Sequence, residues 1–339
     1  MNRKDFLSAV APLATVAFAA PRTTKITEEH SITIPPYLKR GDVIGITCPS
    51  GYITREDIQP AVSKLEEWGF MVTVGKTVGA RDFTLAGNDE MRAQDLQEMM
   101  DDRDIDAILF GRGGYGIVRL IDNIDFTTFK KYPKWMIGFS DATVFHSHLN
   151  KNYRIASIHS KMCNSFPSDW TNAEQKQIDS IESIRKCLTG DSMYYSAVSN
   201  DNNRPGTAEG TLIGGNLSIL QNLASTRSDI NTDGKILFIE EVEEYMYSID
   251  RMLWNLKRSG KLDKLKGLIL GGFNKIKPDD PGEEFGKTVY EIILEKVAQY
   301  PYPVCFDFPV GHQKENYALK CGVRHKLVVS DGSVILKEI

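Results

Sequence analysis

Between residues 42 and 159 the chain alternates short apolar runs with stretches of helical period, and this alternation restricts the folds open to it. DVIGITC (42–48) precedes REDIQPAVSKLEEWGF (55–70), and MVTVG (71–75) precedes NDEMRAQDLQEMMDD (88–102). DAILF (106–110) runs into a glycine-rich turn, WMIGF (135–139) into a helix over 141–150, and IASIH (155–159) follows. Short apolar strands alternating with helices predict an α/β fold whose mostly parallel sheet is covered by helices on both faces.

A different pattern follows the polar run SAVSNDNNRPGTAEG (196–210), whose Asn, Asp, Pro and Gly are loop residues. KILFIEE (235–241), GLILGGF (267–273) and PVCFDFPV (303–310) read as strands. In YMYSIDRMLWNLKRSG (245–260), Ile249, Met252, Leu253 and Leu256 share one helical face. KLVVSDGSVILKEI reads as a hairpin turning at Asp331-Gly332. This predicts a second, smaller mixed α/β domain. A length of 339 residues suits two domains of about 100–200 residues each. The expected division is a signal peptide over 1–19, a linker over 20–36, an N-terminal α/β domain over 37–190, a linker over 191–206 and a C-terminal α/β domain over 207–339.

The opening MNRKDFLSAVAPLATVAFAA has a cationic Arg3-Lys4, an apolar run and the small-residue pattern Ala17-Phe18-Ala19, which is the layout of a cleavable export signal. Arg3-Lys4 before Phe6-Leu7 also loosely resembles a twin-arginine signal. The run is shorter than the roughly 20 residues that span a bilayer and contains Pro12, so no stable membrane insertion of the mature chain is expected. A frayed extension on a cytosolic protein is the alternative. The net charge of −4 supplies no basic field for a phosphate backbone, which argues against nucleic acid as a partner. Cys48, Cys163, Cys187, Cys305 and Cys321 form no C-x-x-C pair, and the histidines form no H-E-x-x-H, so neither a disulfide framework nor a metal site is expected.

Four segments could carry chemistry. In IGFSDATVFHSHL, Ser140 stands where a strand turns into a helix; such a turn exposes the hydroxyl and aims the N–H of Asp141 toward a developing oxyanion. Serine is equally common as an ordinary N-cap. LFGRGGYGIVRL (109–120) offers bare backbone amides and Arg112, which could attract a carboxylate, although the same glycines would serve a plain tight turn. It satisfies G-x-G-x-x-G, but no acidic residue follows at the spacing of a dinucleotide site: position 136 is Met. Glu240 ends an apolar strand and His312 follows another in a Gly-flanked loop; a base and an orienting acid are what a serine nucleophile requires. Composition and spacing do not show that the three meet.

Taken together, GDVIGITCPSG, LFGRGGYGIVRLID, IGFSDATVFHSHL, GTLIGGNLSIL, ILFIEEVEEYMYSIDRMLWNL and PVGHQKENYALKCG resemble, in order, the LD-carboxypeptidase family, serine peptidases that trim murein tetrapeptides and to which the microcin C immunity protein is related. The resemblance covers about residues 37–330. It implies Ser140 as nucleophile, His312 as base and then acid, Glu240 orienting His312, and the amides of Gly114 and Asp141 as oxyanion donors, with the site in the interdomain cleft. Arg112 is the candidate for the substrate's carboxylate. The resemblance further implies release of D-alanine from a murein-derived peptide, no metal or organic cofactor, and a homodimer. Cleavage of a peptidyl or aminoacyl nucleotide amide is an alternative of the same chemistry, and a non-catalytic exported solute-binding protein is one of a different class. In SIHSKMCNSF (157–166), Ser160-Lys161 replace a Gly-Pro expected from the family pattern, which bears on substrate preference. The export signal implies a periplasmic location, whereas the family's murein-recycling members point to the cytoplasm.

Overall fold

The computed structural model describes residues 32–339. The export signal expected over 1–19 and most of the linker expected over 20–36 lie outside the described residues. Residues 32–36 do not hang free: Thr33 donates to the Arg154 carbonyl at 2.7 Å and accepts from the Ala156 N–H at 2.9 Å, which fastens the segment to the first domain.

The first domain runs β1 (Val43–Thr47), α1 (Arg55–Glu67), β2 (Met71–Val74), α2 (Asp89–Asp101), β3 (Ala107–Phe110), α3 (Thr127–Lys131), β4 (Trp135–Gly138), α4 (Thr143–Tyr153), β5 (Ser157–His159) and α5 (Gln175–Thr189). The strands β1 to β5 pair in parallel, as the alternation predicts. Side chains in β3 and β4 are buried on both faces. Ile44, Ile46, Leu109, Trp135 and Ile137 face α1 and α5, while Ile108, Phe110 and Met136 face α2 and α4. The first helix starts where Thr54 and Asp57 cap each other's backbone N–H, a capping box that satisfies two end donors at once.

The second domain continues with β6 (Tyr194–Val198), β7 (Gly206–Asn216), α6 (Leu217–Asn222), β8 (Lys235–Val242), α7 (Met246–Arg258), β9 (Gly267–Asn274), α8 (Val289–Val297), β10 (Val304–Cys305), β11 (Leu319–Cys321), β12 (Arg324–Val329) and β13 (Ser333–Glu338). Its sheet is mixed, in the order β10-β9-β8-β7-β12-β13-β6, with the parallel strands on one side and the antiparallel ones on the other. The helical face predicted for residues 245–260 packs on this sheet, where Ile249, Met252, Leu253 and Leu256 meet Leu237, Ile239 and Leu270. The opposite face, with Leu212, Phe238 and Ile269, shares one continuous core with α1 and α5 of the first domain.

Two segment readings change. Residues 191–206, expected as a linker, hold β6, which pairs antiparallel with β13 as the edge of the second sheet. Its composition is polar because only alternate residues turn inward, Tyr195 buried between exposed Tyr194 and Ser196. The loop expected to reach residue 210 instead becomes the start of β7 at Gly206. The C-terminal region also contributes β11, which crosses to the first sheet and pairs antiparallel with β5. An unpaired β5 would leave a row of backbone groups open, and β11 closes that edge.

Candidate active site

The end of β4 builds the first half of the site. Phe139 is extended, and Ser140 then takes φ +61°, a left-handed conformation that costs a non-glycine residue energy and is held only by its surroundings. The chain enters a 3-10 turn, Ser140–Ala142, and then α4. This is a strand-to-helix elbow, not an ordinary N-cap: Phe139 holds the cap position and Ser140 is the first residue of the turn.

The glycine loop lies directly against that hydroxyl. A Cβ on Gly113 would sit 3.0 Å from Ser140 Cβ and 3.2 Å from its Oγ, so any side chain there would press on Ser140. The Gly113 carbonyl accepts from the Gly51 N–H at 3.1 Å. In a trans peptide the next N–H points the other way, so Gly114 presents its amide away from Gly51. That amide has no hydrogen-bond partner among the described residues. The Asp141 N–H stands in the first turn of its helix, where amides have no partner within the helix.

Asp141 also has a mechanical role that the sequence did not suggest. Its buried Oδ2 accepts from Ser50 Oγ at 2.6 Å and from the Ile117 N–H at 2.9 Å, which ties the elbow to the β1–α1 loop and to the end of the glycine loop. Burial raises its carboxyl pKa; the two hydrogen bonds and the charge of Arg92 oppose this. Arg92, fully buried, donates to the Pro49 carbonyl at 2.5 Å and braces the same loops from below.

The second half comes from the other domain. Glu240 lies near the end of β8, paired with Asn216 of β7, and is wholly buried. His312 follows Val310-Gly311 in a loop, and its Nδ1 stands 2.7 Å from Glu240 Oε2. The same oxygen accepts the His312 backbone N–H at 3.1 Å. Because a carboxylate only accepts, Nδ1 donates, and in the neutral ring this leaves the lone pair on Nε2. The imidazole packs against the Phe139 ring, centroids 4.8 Å apart, which seats it beside the residue that precedes Ser140. The neighbouring Glu241 has different work: it accepts from Asn216 Nδ2 and the Ser218 N–H and so anchors the start of α6.

The domains are locked close to this point. Thr143 Oγ1, one turn past Ser140, accepts the Asn216 N–H at 3.0 Å. His159 is buried between Phe139 and Phe238, ring centroids 5.9 and 5.0 Å away, and burial holds its pKa well below the usual value, so it stays neutral. His146, in α4, is likewise an internal strut, bonded to Ser157 Oγ and the Gly138 carbonyl.

Ser140, Gly114, Asp141, Glu240 and His312 therefore converge on one region. Arg112, next to Gly113 in the glycine loop, is exposed and donates to the Tyr52 carbonyl at 3.1 Å. Nothing in the sequence placed Lys161 near His312, although its segment departs from the expected pattern. Lys161 is buried and donates to the Gln313 carbonyl at 2.6 Å, next to His312.

Two family models match the chain: the LD-carboxypeptidase N-terminal domain over residues 44–160 and the LD-carboxypeptidase C-terminal domain over residues 209–327. The "Probable murein peptide carboxypeptidase" of Bacillus subtilis is 30% identical over 89% of this chain and 94% of its own length. The murein tetrapeptide carboxypeptidase of Pseudomonas aeruginosa is 30% identical over 86% of this chain and 93% of its own. Among solved structures, the muramoyltetrapeptide carboxypeptidase of Oxalobacter formigenes superposes with a TM-score of 0.77 at 31% identity, covering 87% of this chain and 98% of that one.

Proposed function

This chain belongs to the LD-carboxypeptidase family of serine hydrolases, and from that membership we propose that it releases a terminal D-amino acid, D-alanine, from a murein tetrapeptide by cutting an L,D-amide bond. The observation that carries the reading is the Glu240–His312 pair seated on Phe139, beside a serine at positive φ whose hydroxyl faces the glycine loop.

In this reading Ser140 Oγ attacks the carbonyl of the L-residue and gives its proton to His312 Nε2. Glu240 steadies the imidazolium through Nδ1–H, and the amides of Gly114 and Asp141 receive the oxyanion. Collapse of the tetrahedral intermediate passes the proton from His312 to the departing amine. Water then clears the acyl-enzyme by the same route, His312 acting first as base and then as acid. Losing one oxyanion donor in such a site typically costs about 10²- to 10³-fold in rate, so the fastening of the glycine loop by Asp141 matters to the chemistry.

The test is incubation of the purified protein with murein tetrapeptide, D-alanine being followed by mass spectrometry, beside an aminoacyl-sulfamoyl nucleoside. The expected result is D-alanine release that Ser140→Ala abolishes. Equal turnover by Ser140→Ala, or cleavage of the nucleoside alone, would overturn the reading.

The reading extends to a homodimer that acts on its peptide in the periplasm after removal of residues 1–19. Sedimentation of the purified chain and N-terminal sequencing of the protein recovered from fractionated cells test these points. A monomer would reject the first, and an intact N-terminus in the cytoplasm the second.

A further inference from the structure

We propose that Lys161 is the counter-charge for the carboxylate of the departing amino acid, and so makes the site select peptides with a free C-terminus. This rests on the proposed L,D-carboxypeptidase activity and adds the group that recognises the substrate's end.

Register places the residue. The strands β4 and β5 pair Gly138 with His159, and the Ser160 N–H still donates to the Gly138 carbonyl at 3.1 Å. Lys161 follows two residues after the end of β5, as Ser140 follows two residues after the end of β4. From there its Nζ reaches the Gln313 carbonyl at 2.6 Å and lies 6.0 Å from the centre of the Phe139 ring, the same ring on which His312 sits.

Lys161 is only 9% exposed, yet it has no carboxylate within ion-pair distance among the described residues. An ammonium has three donors, and the Gln313 carbonyl takes one. A buried cation without a counter-ion is costly and is ordinarily paired. An anion that arrives with the substrate removes that cost.

The chemistry of the reaction says which anion. His312 must deliver its proton to the amide nitrogen that leaves, so that nitrogen lies at Nε2. In a C-terminal amino acid the carboxylate is two bonds from that nitrogen. It therefore falls on the His312 side of the scissile bond, where Lys161 is the buried cation. Arg112, on the glycine loop, is exposed and already donates to the Tyr52 carbonyl.

Binding can be read apart from turnover in the Ser140→Ala protein, with two probes: a tetrapeptide ending in D-alanine and the same peptide ending in D-alaninamide. Calorimetry should show the acid bound about 10- to 10²-fold more tightly, the range of a hydrogen bond to a charged group. Adding Lys161→Met should bring the acid to the level of the amide and move the amide less than about threefold. Lys161→Gln, which can still donate to Gln313, should lose the preference too, and it serves if the Met variant does not fold. Equal binding of acid and amide by the Ser140→Ala protein itself would overturn the proposal, as would a preference that survives both substitutions. Failure of the wild-type protein to release D-alanine would defeat the proposed reaction, whereas the role of Lys161 in holding a carboxylate stands or falls on the binding comparison.

Discussion

One oxygen of Glu240 holds His312 twice: Oε2 accepts the ring Nδ1–H at 2.7 Å and the backbone N–H at 3.1 Å. Ring and main chain are thus fastened to the same atom, which fixes the tautomer and the direction of Nε2 together. The other oxygen, Oε1, has no hydrogen-bond partner among the described residues. The carboxylate is committed to the histidine.

Glu240→Gln should therefore leave a folded protein with kcat reduced about 10²- to 10⁴-fold, because an amide can offer a donor to Nδ1 and favour the wrong tautomer. Steady-state kinetics on the tetrapeptide, with circular dichroism to confirm the fold, checks this. A loss below about tenfold would remove Glu240 from the triad.

Gly311 sets the spacing of that pair. Its φ is +102°, and a Cβ there would stand 2.5 Å from Glu240 Cβ. Gly311→Ala should cost about 1–2 kcal/mol from the backbone alone. The larger effect should be on activity, since Glu240 or His312 must move. The expected outcome is a fall in kcat of more than about tenfold together with slower labelling of Ser140 by a fluorophosphonate. Unchanged labelling would show that the pair tolerates the displacement.

Gly215 controls how the two domains meet. A Cβ on it would lie 2.6 Å from Thr143 Cγ2 and closer still to Oγ1, on the helix that follows Ser140. Its φ of +149° adds backbone strain to that clash. Gly215→Ala should lower the melting temperature and the activity together, since the wedge opens between the helix that follows Ser140 and the strand beside Glu240. Differential scanning calorimetry beside kinetics checks this; a stable variant with full activity would mean that the contact is not what sets the distance between the halves.

The pH dependence of substrate affinity follows from Lys161, whose burial lowers its pKa to about 8. Its titratable neighbours are His159, which burial keeps neutral, and His312 beyond the Gln313 carbonyl. The cation is present below about pH 8 and is lost as pH rises through that value. KM for a peptide acid should accordingly rise above pH 8, by up to about tenfold per pH unit, while KM for the matched amide should not. In the free protein the sign is opposite for stability. The folded state binds its proton less tightly than the unfolded chain, whose lysine has the ordinary value of 10.5, so the cost of burying this charge is relieved between about pH 8 and 10.5. Equal KM profiles for acid and amide would contradict the assignment.

The local pattern of residues determined the parts. Alternating apolar runs and helical periods specify β1 to β5 with their helices, because strand burial and helix amphipathicity are short-range properties of consecutive side chains. The same reasoning marks Ser140 at a strand-to-helix turn, Glu240 at a strand end and His312 in a Gly-flanked loop. Tertiary structure decided what those parts do to one another. The pairing of β6 with β13 and of β11 with β5 joins residues far apart in the chain, and nothing within a window of ten residues reports it. The same holds for Lys161, whose burial beside Gln313 exists only once β5 and the loop after β10 have met. A hydroxyl, an imidazole and a carboxylate are ordinary groups in sequence. The 2.7 Å approach of Glu240 to His312 joins residues 72 apart in the chain, and such distances are a property of the whole fold.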